Sequence, residues 1–437
     1  VAGIAASEHL AEEMDLGDIV CTDMGGTSFD IGIVVRGGIK HYDFNPVIDR
    51  WLVSVPMVHL VTLGAGGGSV ARYERMYNTV QVGPKSAGSD PGPACYDRGG
   101  MDPTVTDADL VLGYLDADDY AGGSIKLNLK RSEFAIREAL CEPLGLSVIE
   151  AAKLIKQRVD NNMVNGMAQE LRARGYDPRQ FTMLAYGGNG PLHGCGIASM
   201  LGINKILAPP FTAVFSAVGA GNMHQMHIHE RSLFMNVYNS NTRHLFDDYD
   251  SFNRTVEELE LLGRQDLLRQ EMKREAIHHR LELDMRYGNQ LVTTTVVANV
   301  SRLKNVEDVM SIINQFSADY GKRFGEGSQA PEAGIRINTV RVSSFVELDT
   351  VHFKHARFEE TDRKKIAPPK PVARRECYFP GHGSGLETAI YRAEQLEPGM
   401  VIEAPAVVIA PTTTYLVEPG WRLTASEQGA IWLTRKK

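Results

Sequence analysis

The stretch that most constrains this 437-residue chain is the octapeptide Asp-Met-Gly-Gly-Thr-Ser-Phe-Asp at residues 23–30. Short runs rich in Val and Ile lie on both sides, at 19–21 and 31–35, and they predict two strands joined by a Gly-Gly turn. Because glycine tolerates positive φ, Gly25 and Gly26 allow the turn to be tight. An ordinary glycine-rich hairpin is the alternative interpretation, since short motifs often match by chance.

The residues of this turn suit a phosphate group. Backbone N–H groups exposed by the tight turn, together with the hydroxyls of Thr27 and Ser28, would converge on one point and form a nest for an anion. Asp23 ends the first strand, and Mg²⁺ favours one or two carboxylates together with phosphate oxygens. The sequence therefore predicts that Asp23 holds a hydrated Mg²⁺ on a phosphate bound by the hairpin.

A second glycine-rich stretch, at 64–69, reads Gly-Ala-Gly-Gly-Gly-Ser. Glycine costs conformational entropy and packs no side chain, so a close approach of the backbone to a ligand is one reason for having Gly66, Gly67 and Gly68 together. Residues 69–72 are expected to start a helix, whose free N–H groups would face that ligand. A flexible surface linker is the alternative.

A third glycine-rich turn follows a predicted buried strand at 181–186. The turn reads Gly187-Gly188-Asn189-Gly190-Pro191 and precedes a predicted helix at 192–200. A strand, a glycine-rich turn and a helix together leave N–H groups free for an anion or a nucleotide. The spacing is neither that of the dinucleotide fingerprint nor that of a Walker A loop. His193, on the first helical turn, is expected to be a packing or capping residue rather than a catalyst.

Two further helices are predicted from their starting signals. The turn-rich segment 83–107 leads into a helix that ends near residue 115, with Thr106 or Asp107 as its cap. Asp107 and Asp109 are candidates for contact with a cation, but acidic residues at a helix start more often complement the helix dipole. Ser147 and Glu150 form a capping-box pattern, which predicts a helix from there to about residue 174.

Three histidines, His224, His227 and His229, suggest a metal site. On a strand, His227 and His229 would share a face and His224 would lie opposite. On a helix, His224 and His227 would share a face without His229. Because neither geometry brings all three together, a metal at this site is the weaker interpretation.

Composition narrows the class of protein. The net charge of −8 argues against a general nucleic-acid or anionic-membrane binder. No apolar run is long enough to span a bilayer, and no signal peptide is visible. The five cysteines are scattered, without a C-x-x-C pair, so a disulfide framework is not indicated and a cytoplasmic location is expected.

The character of the chain changes near residue 245, which predicts two domains, 1–245 and 246–437. The second is expected to contain a charged helix pair at 246–278, strands at 279–302, a helix at 305–327 and strand-rich segments at 335–357 and 387–434. A connector rich in Lys, Arg and Pro is predicted at 364–375. The chain begins with Val1 inside a predicted helix, so a C-terminal fragment of a longer polypeptide is expected.

Six motifs, in this order, resemble the A-type subunits of the hydantoinase/5-oxoprolinase family. They are DMGGTSFD (23–30), LGAGGGS (63–69), VGPKSAGSDPGPACY (82–96), PTVTDADLVLG (103–113), YGGNGPLH (186–193) and APTTTYLVEPGW (410–421). The resemblance covers essentially the whole chain. The resemblance implies an α/β fold of the acetate and sugar kinase/Hsp70/actin class, which is ribonuclease H-like, followed by a smaller α+β domain that is strand-rich at its end.

The resemblance also implies roles for individual residues. Gly25, Gly26, Thr27 and Ser28 would bind phosphate, and Asp23 would hold Mg²⁺ or take part in catalysis together with Thr27. The loop 64–69, including Gly66 to Gly68, would line the cleft, and Gly187, Gly188 and Asn189 would border the adenosine of ATP. The family's first phosphate hairpin is absent from this chain, so the N-terminal half of the same polypeptide would be a partner.

Members of this family are ATP-dependent hydrolases of cyclic amides and ATP-dependent ketone carboxylases. The sequence is most similar to the nucleotide-binding subunits of the carboxylases, which implies conversion of acetone and bicarbonate to acetoacetate with release of AMP and two phosphates. Other subunits would complete the site, one of them carrying Mn or another transition metal. A hydantoinase or oxoprolinase, and a non-catalytic nucleotide-binding scaffold subunit, are the alternatives. No nucleic acid and no membrane would take part.

Overall fold

The computed structural model of this chain describes residues 1–35, 57–291, 293–348, 369–426 and 429–436, and positions 39–40, 42–43, 47–48 and 50–52. The helices are α1 Ala2–Met14, α2 Val105–Val111, α3 Leu129–Ile136, α4 Glu142–Leu144, α5 Val148–Ala173, α6 Gly190–Leu201, α7 Phe215–Gly221, α8 Tyr249–Arg269 and α9 Val306–Phe324.

The strands fall in three groups along the chain. The first twelve are β1 Ile19–Met24, β2 Phe29–Val35, β3 Ile39–Lys40, β4 Tyr42–Asp43, β5 Val47–Ile48, β6 Trp51–Leu52, β7 Met57–Val58, β8 Val61–Leu63, β9 Ser69–Glu74, β10 Thr79–Ser86, β11 Thr182–Tyr186 and β12 Lys205–Ala208. The middle group is β13 Gln225–Asn239, β14 His244–Leu245, β15 Ile277–Tyr287, β16 Thr294–Val297 and β17 Ile335–Val346. The last group is β18 Ala373–Cys377, β19 Leu386–Arg392, β20 Val401–Glu403, β21 Ala406–Ile409, β22 Thr414–Val417, β23 Trp421–Ala425 and β24 Ile431–Arg435.

The largest sheet is mixed and has the order β20-β23-β24-β12-β11-β1-β2-β3, with β8 also paired to β2. Its centre is parallel, because β1 pairs in parallel with β11 and β11 with β12. β2 returns antiparallel to β1 through the predicted glycine-rich hairpin. In the register, Asp23 lies beside Tyr186, so the turns that follow β1 and β11 leave the sheet at the same edge. Such an edge, at the carboxyl ends of parallel strands, is where α/β sheets bind ligands.

Contacts divide the chain into two compact units. The first contains 1–43, 57–221 and 351–437, and the second contains 44–56 and 222–350. This division differs from a single boundary near residue 245, because the C-terminal strands β20, β23 and β24 belong to the large sheet, where β24 pairs antiparallel with β12. The second unit has a five-stranded sheet of order β14-β13-β17-β15-β16. Phe252 of α8 and Phe316 of α9 belong to its hydrophobic core.

The structure confirms most of the predicted elements and corrects several. No helix follows the second glycine-rich stretch, since residues 69–74 form strand β9. One helix, α8, replaces the predicted helix pair at 246–278. The predicted connector 364–375 and the end of the predicted strand 335–357 lie partly outside the described residues, and 373–377 is a strand. The capping box of α5 is confirmed: Ser147 accepts from the Glu150 N–H, and the Glu150 side chain accepts from the Ser147 N–H.

The cap of α2 is Thr104, not Thr106 or Asp107, because the Thr104 side chain accepts from the Asp107 N–H. Asp107 is buried and collects donors from three segments. Its carboxylate accepts from the N–H groups of Ala94, Cys95 and Thr104 at 3.1, 2.7 and 2.9 Å, and from the hydroxyls of Thr104 and Ser132 at 2.7 and 2.6 Å. All of its contacts are therefore structural, and it anchors the turn-rich segment to α2 and α3.

We expect Asp107→Ala to lower the free energy of unfolding by at least about 3 kcal/mol, because each buried donor left unsatisfied costs about 1–3 kcal/mol. Urea denaturation followed by circular dichroism measures the loss. Asp118→Ala is the matched control, since that aspartate is exposed on the nearby loop, and we expect a change within about 0.5 kcal/mol there. Equal losses in the two variants would contradict the anchoring role.

Candidate active site

The predicted phosphate hairpin is present and spans residues 25–28 between β1 and β2. The Gly25 N–H donates to the Ser28 carbonyl at 3.1 Å, which closes the turn. Neither Gly25 nor Gly26 has positive φ, so the conformational reason given for them from the sequence is wrong. An added Cβ would meet nothing within 4 Å at either position, so space within the fold does not require these glycines.

The hairpin has backbone N–H groups that bond to no acceptor in the described part of the protein. Within the described part of the chain, the N–H groups of Gly26, Thr27 and Ser28 donate to no protein acceptor. Gly26 and Thr27 are exposed, and the Thr27 hydroxyl is 3.3 Å from the hydroxyl of Ser86. Three successive free N–H groups with hydroxyls beside them are the donors that a phosphate oxygen needs.

Asp23 lies at the base of the hairpin and is half-buried. Its Oδ2 accepts a hydrogen bond of 2.8 Å from the hydroxyl of Ser216, a residue on α7. Burial raises the pKa of the Asp23 carboxyl, the Ser216 hydrogen bond opposes that rise in part, and the charge of Asp30 adds to it. Asp30 is directly opposite Asp23 in the register of β1 and β2. The strands thus hold two carboxyl groups close together, which costs stability unless a cation lies near.

The loop of Gly66 to Gly68 packs beneath the hairpin. The N–H groups of Gly67 and Gly68 donate to the carbonyls of Gly25 and Gly26 at 3.1 and 2.6 Å, and the Gly66 N–H donates to the Ser69 hydroxyl at 2.9 Å. These three N–H groups are therefore occupied by protein acceptors. An added Cβ at Gly66 would lie 2.7 Å from the backbone carbon of Gly26. Gly66 and Gly68 are therefore required by contact with the hairpin, and Gly67 by contact with Asn189 and Thr106, rather than by a helix start.

The turn after β11 contacts the other side of the hairpin. The Asn189 N–H donates to the Met24 carbonyl at 3.0 Å, and the Asn189 side-chain amide donates to the Gly25 carbonyl at 3.1 Å. Gly187 has φ of +82°, and a Cβ there would clash with the Asp23 carboxylate and lie 2.5 Å from the Met24 carbonyl. Only glycine fits at this position. All three predicted glycine-rich segments thus meet around Asp23 and the hairpin.

A cavity of about 370 Å³ opens next to Gly188 and Asn189. It is lined partly by Tyr96 and Tyr120, by Asp116 and Asp119, and by the segment 409–414. The hydroxyl of Thr413 donates to the Gly188 carbonyl at 2.9 Å, which joins that segment to the turn. Aromatic rings with a few polar groups around a concave space are typical of a small-molecule site.

The arrangement fits the predicted nucleotide and Mg²⁺. The free N–H groups of the hairpin match phosphate oxygens, and Asp23 has one oxygen not used by Ser216, as a Mg²⁺ ligand requires. Among the described residues there is no group of three or more His, Cys, Asp or Glu side chains placed to hold a metal ion. A Mg²⁺ bound largely by phosphate and water does not need such a group.

The three histidines do not converge. They lie at the start of the strand β13 or just before it, where His229 pairs with Asp266 at 2.9 Å. His224 accepts from the Leu348 N–H at 3.3 Å. Each of these two thus has a protein partner in the second unit.

Sequence reasoning missed several residues of the site. Ser216 carries no local signal, because it reaches Asp23 from a helix 193 positions away. Thr106, expected as a cap, instead donates its hydroxyl to the Gly67 carbonyl at 2.9 Å and fixes the second loop. His193, expected as a packing or capping residue, is fully buried between two aspartates. Thr412 and Thr413 line the cavity and lie in the motif at 410–421, but no local signal gives either of them a role.

Comparison with known proteins settles the family. The family model Hydantoinase/oxoprolinase matches residues 1–229, more than half of the chain. The chain belongs to this family. A model of the hydantoinase/oxoprolinase C-terminal domain matches residues 240–433. The junction of the two matches lies near the boundary expected from the sequence. Among the described residues, no helix is both long and apolar enough to cross a membrane.

Three relatives within the family are similar over nearly the whole chain. The acetophenone carboxylase gamma subunit of Aromatoleum aromaticum is 37% identical over 98% of this chain. The caprolactamase subunit alpha of Pseudomonas jessenii is 31% identical over 97%, and the acetone carboxylase beta subunit of Xanthobacter autotrophicus is 26% identical over 96%. The chain spans 58%, 59% and 58% of the lengths of these relatives, respectively.

Two solved structures share the fold. A caprolactamase structure from Pseudomonas jessenii has a TM-score of 0.84 with 30% identity, covering 100% of this chain and 61% of that one. A nucleotide-free acetone carboxylase structure has a TM-score of 0.74 with 26% identity, covering 99% and 60%. The actin-like α/β fold class that the sequence predicts is confirmed.

Proposed function

We propose that this chain is the nucleotide-binding part of an ATP-dependent ketone carboxylase subunit. The observation that carries the proposal is the meeting of three glycine-rich segments around Asp23 and the free N–H groups of the hairpin. The 37% identity to an acetophenone carboxylase subunit supports a ketone as the substrate. The proposed reaction joins a small ketone, such as acetone, to bicarbonate with release of AMP and two phosphates.

The proposed chemistry is phosphoryl activation. An enol oxygen and a bicarbonate oxygen are poor leaving groups until phosphorylated, and such a transfer depends mainly on positioning and charge neutralisation. The N–H groups of Gly26, Thr27 and Ser28 would hold a phosphate, and Asp23 would hold Mg²⁺ against it. The adenosine would lie in the cavity beside Gly188 and Asn189, which Tyr96 and Tyr120 also line.

A second candidate function is the ATP-dependent hydrolysis of a cyclic amide. The caprolactamase supports it, with 31% sequence identity and a TM-score of 0.84 for a solved structure. Phosphorylation of an amide oxygen would use the same hairpin and the same carboxylate. The two functions therefore differ in the pocket that receives the carbonyl compound rather than in the nucleotide site. A non-catalytic nucleotide-binding scaffold is the third reading, and a variant of Asp23 tests it.

Partner subunits belong to the proposal as well. The carboxylase and caprolactamase relatives are named as subunits. We therefore place this chain in a hetero-oligomeric complex, in which another subunit would carry Mn or another transition metal. Substrate specificity would be divided between this chain and its partners.

The test uses the full-length polypeptide co-expressed with its partner subunits. With MgATP, we expect nucleotide consumption that depends on both a ketone and bicarbonate, with AMP as the product by chromatography. Acetone and acetophenone are assayed in parallel with caprolactam and 5-oxoproline. ATP consumption stimulated by a lactam alone, with ADP as product, would replace the carboxylase with the second candidate. Consumption stimulated by neither class would contradict both.

A further inference from the structure

A buried ionic cluster lies directly behind the turn of residues 187–190. His193, on the first turn of α6, places Nδ1 2.6 Å from Asp160 Oδ1 and Nε2 3.3 Å from Asp109 Oδ2. Lys156 donates to Asp160 at 2.7 Å and lies 3.3 Å from Glu418. The side chains of His193 and Lys156 are 0% exposed, and those of Asp109 and Asp160 are 1% and 4% exposed.

The cluster links the three helices that support the site. Asp109 lies on α2, three residues after Thr106, which holds the Gly67 carbonyl. Asp160 lies on α5. His193 lies on α6, four residues after Asn189, whose amide groups hold the Met24 and Gly25 carbonyls. The imidazole of His193 therefore links the hairpin, the loop of residues 64–69 and the turn of residues 187–190.

Stability alone is a weak reason for such a cluster. Taking several charges out of water costs several kcal/mol per ion, and well-packed apolar residues often do as well. The packing around it is nonetheless adapted to the charges: a Cβ at Gly196 of α6 would lie 2.7 Å from Asp160 Oδ2. Oδ1 of Asp109 is buried without a hydrogen-bond partner among the described residues, and Oε1 of Glu418 has its ion pair with Lys156 at 3.3 Å. Breaking one link would leave more such groups unpaired.

We propose that His193 is a positioning residue, which holds Asn189 and the Gly66–Gly68 loop against the phosphate hairpin by bonding to Asp160 and Asp109 at once. The consequence for ATP affinity rests on the proposed function; the consequence for the hydrogen bonds of the site does not. The role needs both ring nitrogens to donate, because both partners are carboxylates. The doubly protonated form of His193 is therefore the one that connects the helices.

The charges around His193 favour that form. Burial lowers the pKa of His193, but Asp109 and Asp160 outweigh it and raise the pKa to about 9, against an opposing contribution from Lys156. Lys156 and Asp160 lie on α5 and Asp109 lies on α2, and Glu418 directly follows β22. The pKa of Asp160 is lowered: burial opposes the carboxylate, and Lys156 and His193 more than compensate. Burial raises the pKa of Glu418, so that this carboxyl holds its proton more readily.

The central test compares His193→Gln with His59→Gln. Glutamine keeps a donor but cannot reach two carboxylates at once. His59 pairs with Glu170 at 3.0 Å and is the matched control, because Glu170 lies on α5 ten residues beyond Asp160, about 15 Å along the helix. In the full-length complex, we expect His193→Gln to raise the Kd for ATP about tenfold, while kcat at saturating ATP stays within about threefold of the wild-type value. His59→Gln should change neither quantity.

Hydrogen exchange supplies a readout that does not depend on nucleotide. Without ATP, the amides of Gly67, Gly68 and Asn189 should exchange faster in His193→Gln than in wild type. In His59→Gln, the exchange rates of these amides should equal those of wild type. Unchanged exchange at these amides would overturn the proposal. If wild type binds no ATP while exchange still rises in His193→Gln, the proposed function fails and the positioning role stands. Should His193→Gln not fold, Asp109→Leu, which removes only the acceptor for Nε2, is measured in the same way and decides by the same criteria.

The pH profile separates a charged link from a neutral packing role. The folded-state pKa of His193, about 9, lies above the ordinary value of 6.5. The stability that protonated His193 contributes is therefore fully present below pH 6.5 and is lost as the pH rises through 9. The difference in melting temperature between wild type and His193→Gln should therefore shrink between pH 6.5 and pH 9.5. Wild-type affinity for ATP should fall over the upper part of that range, whereas that of His193→Gln stays level. Parallel profiles would overturn the proposal.

Discussion

Asp23→Asn is expected to lower ATP turnover in the full-length complex by about 10²–10³-fold, the loss typical when a preorganised charged or hydrogen-bonding group at a reacting centre is removed. Asparagine has nearly the same shape and still offers an oxygen to the Ser216 hydroxyl. What it lacks is the charge that would hold Mg²⁺ on the phosphate. Steady-state release of nucleotide product and phosphate measures the loss.

The same variant should be at least as stable as wild type. The Asp23 carboxylate is disfavoured by burial and by the opposite Asp30, as its raised pKa shows. Removing its charge removes both costs, so the melting temperature should stay level or rise. A loss of turnover without a loss of stability is a signature of a functional rather than a structural residue. Ser216→Ala is the companion variant, with an expected loss of about tenfold because the carboxylate remains. Full turnover in Asp23→Asn would favour the scaffold reading.

Gly66→Ala is expected to abolish measurable nucleotide binding and to destabilise the first unit by about 1–3 kcal/mol, the usual cost of overpacking. A Cβ at Gly66 would lie 2.7 and 2.8 Å from the backbone carbon and oxygen of Gly26 and 2.8 Å from the Thr27 nitrogen. Backbone atoms cannot rotate away as a side-chain end can. The hairpin must therefore move as a whole, and its free N–H groups move with it.

Gly26→Ala is the control for Gly66→Ala, because Gly26 lies on the other side of the contact between the loop and the hairpin. Nothing lies within 4 Å of a Cβ at Gly26, and its φ is not positive. The same added methyl group should therefore change the free energy of unfolding by less than about 0.5 kcal/mol. Isothermal titration with ATP and urea denaturation measure both variants. Equal destabilisation by the two substitutions would show that the close contact of loop and hairpin does not govern stability here.

The elements that the sequence predicts well have strong local signals. The hairpin strands, α5 with its Ser147–Glu150 capping box, and the strand and helix around Gly187 depend on hydrophobic periodicity and on side chains within four positions. The errors arise where local signals conflict with pairing. Residues 69–74 form a strand because they pair with β10, a partner that no local signal identifies. Thr106 resembles a helix cap but bonds to a loop 39 positions away.

For the candidate site, the sequence by itself points to the glycine-rich stretches and to Asp23. It did not determine why the glycines are there. Gly25 and Gly26 were expected to serve the turn, and Gly66 to Gly68 to face a ligand; in the structure the second group instead donates to the first. A close approach of two backbones depends on both partners, and a single sequence shows only the permissive residue.

The sequence determined the hairpin, the two other glycine-rich segments and the family to which they belong, because each depends on residues that are neighbours along the chain. Only the tertiary structure decided that Ser216 supports Asp23, that Asn189 holds the hairpin, and that His193 joins α2, α5 and α6. Those contacts join residues 33 to 193 positions apart. They exist because parallel strands β1 and β11 end at one edge of the sheet and place distant turns side by side.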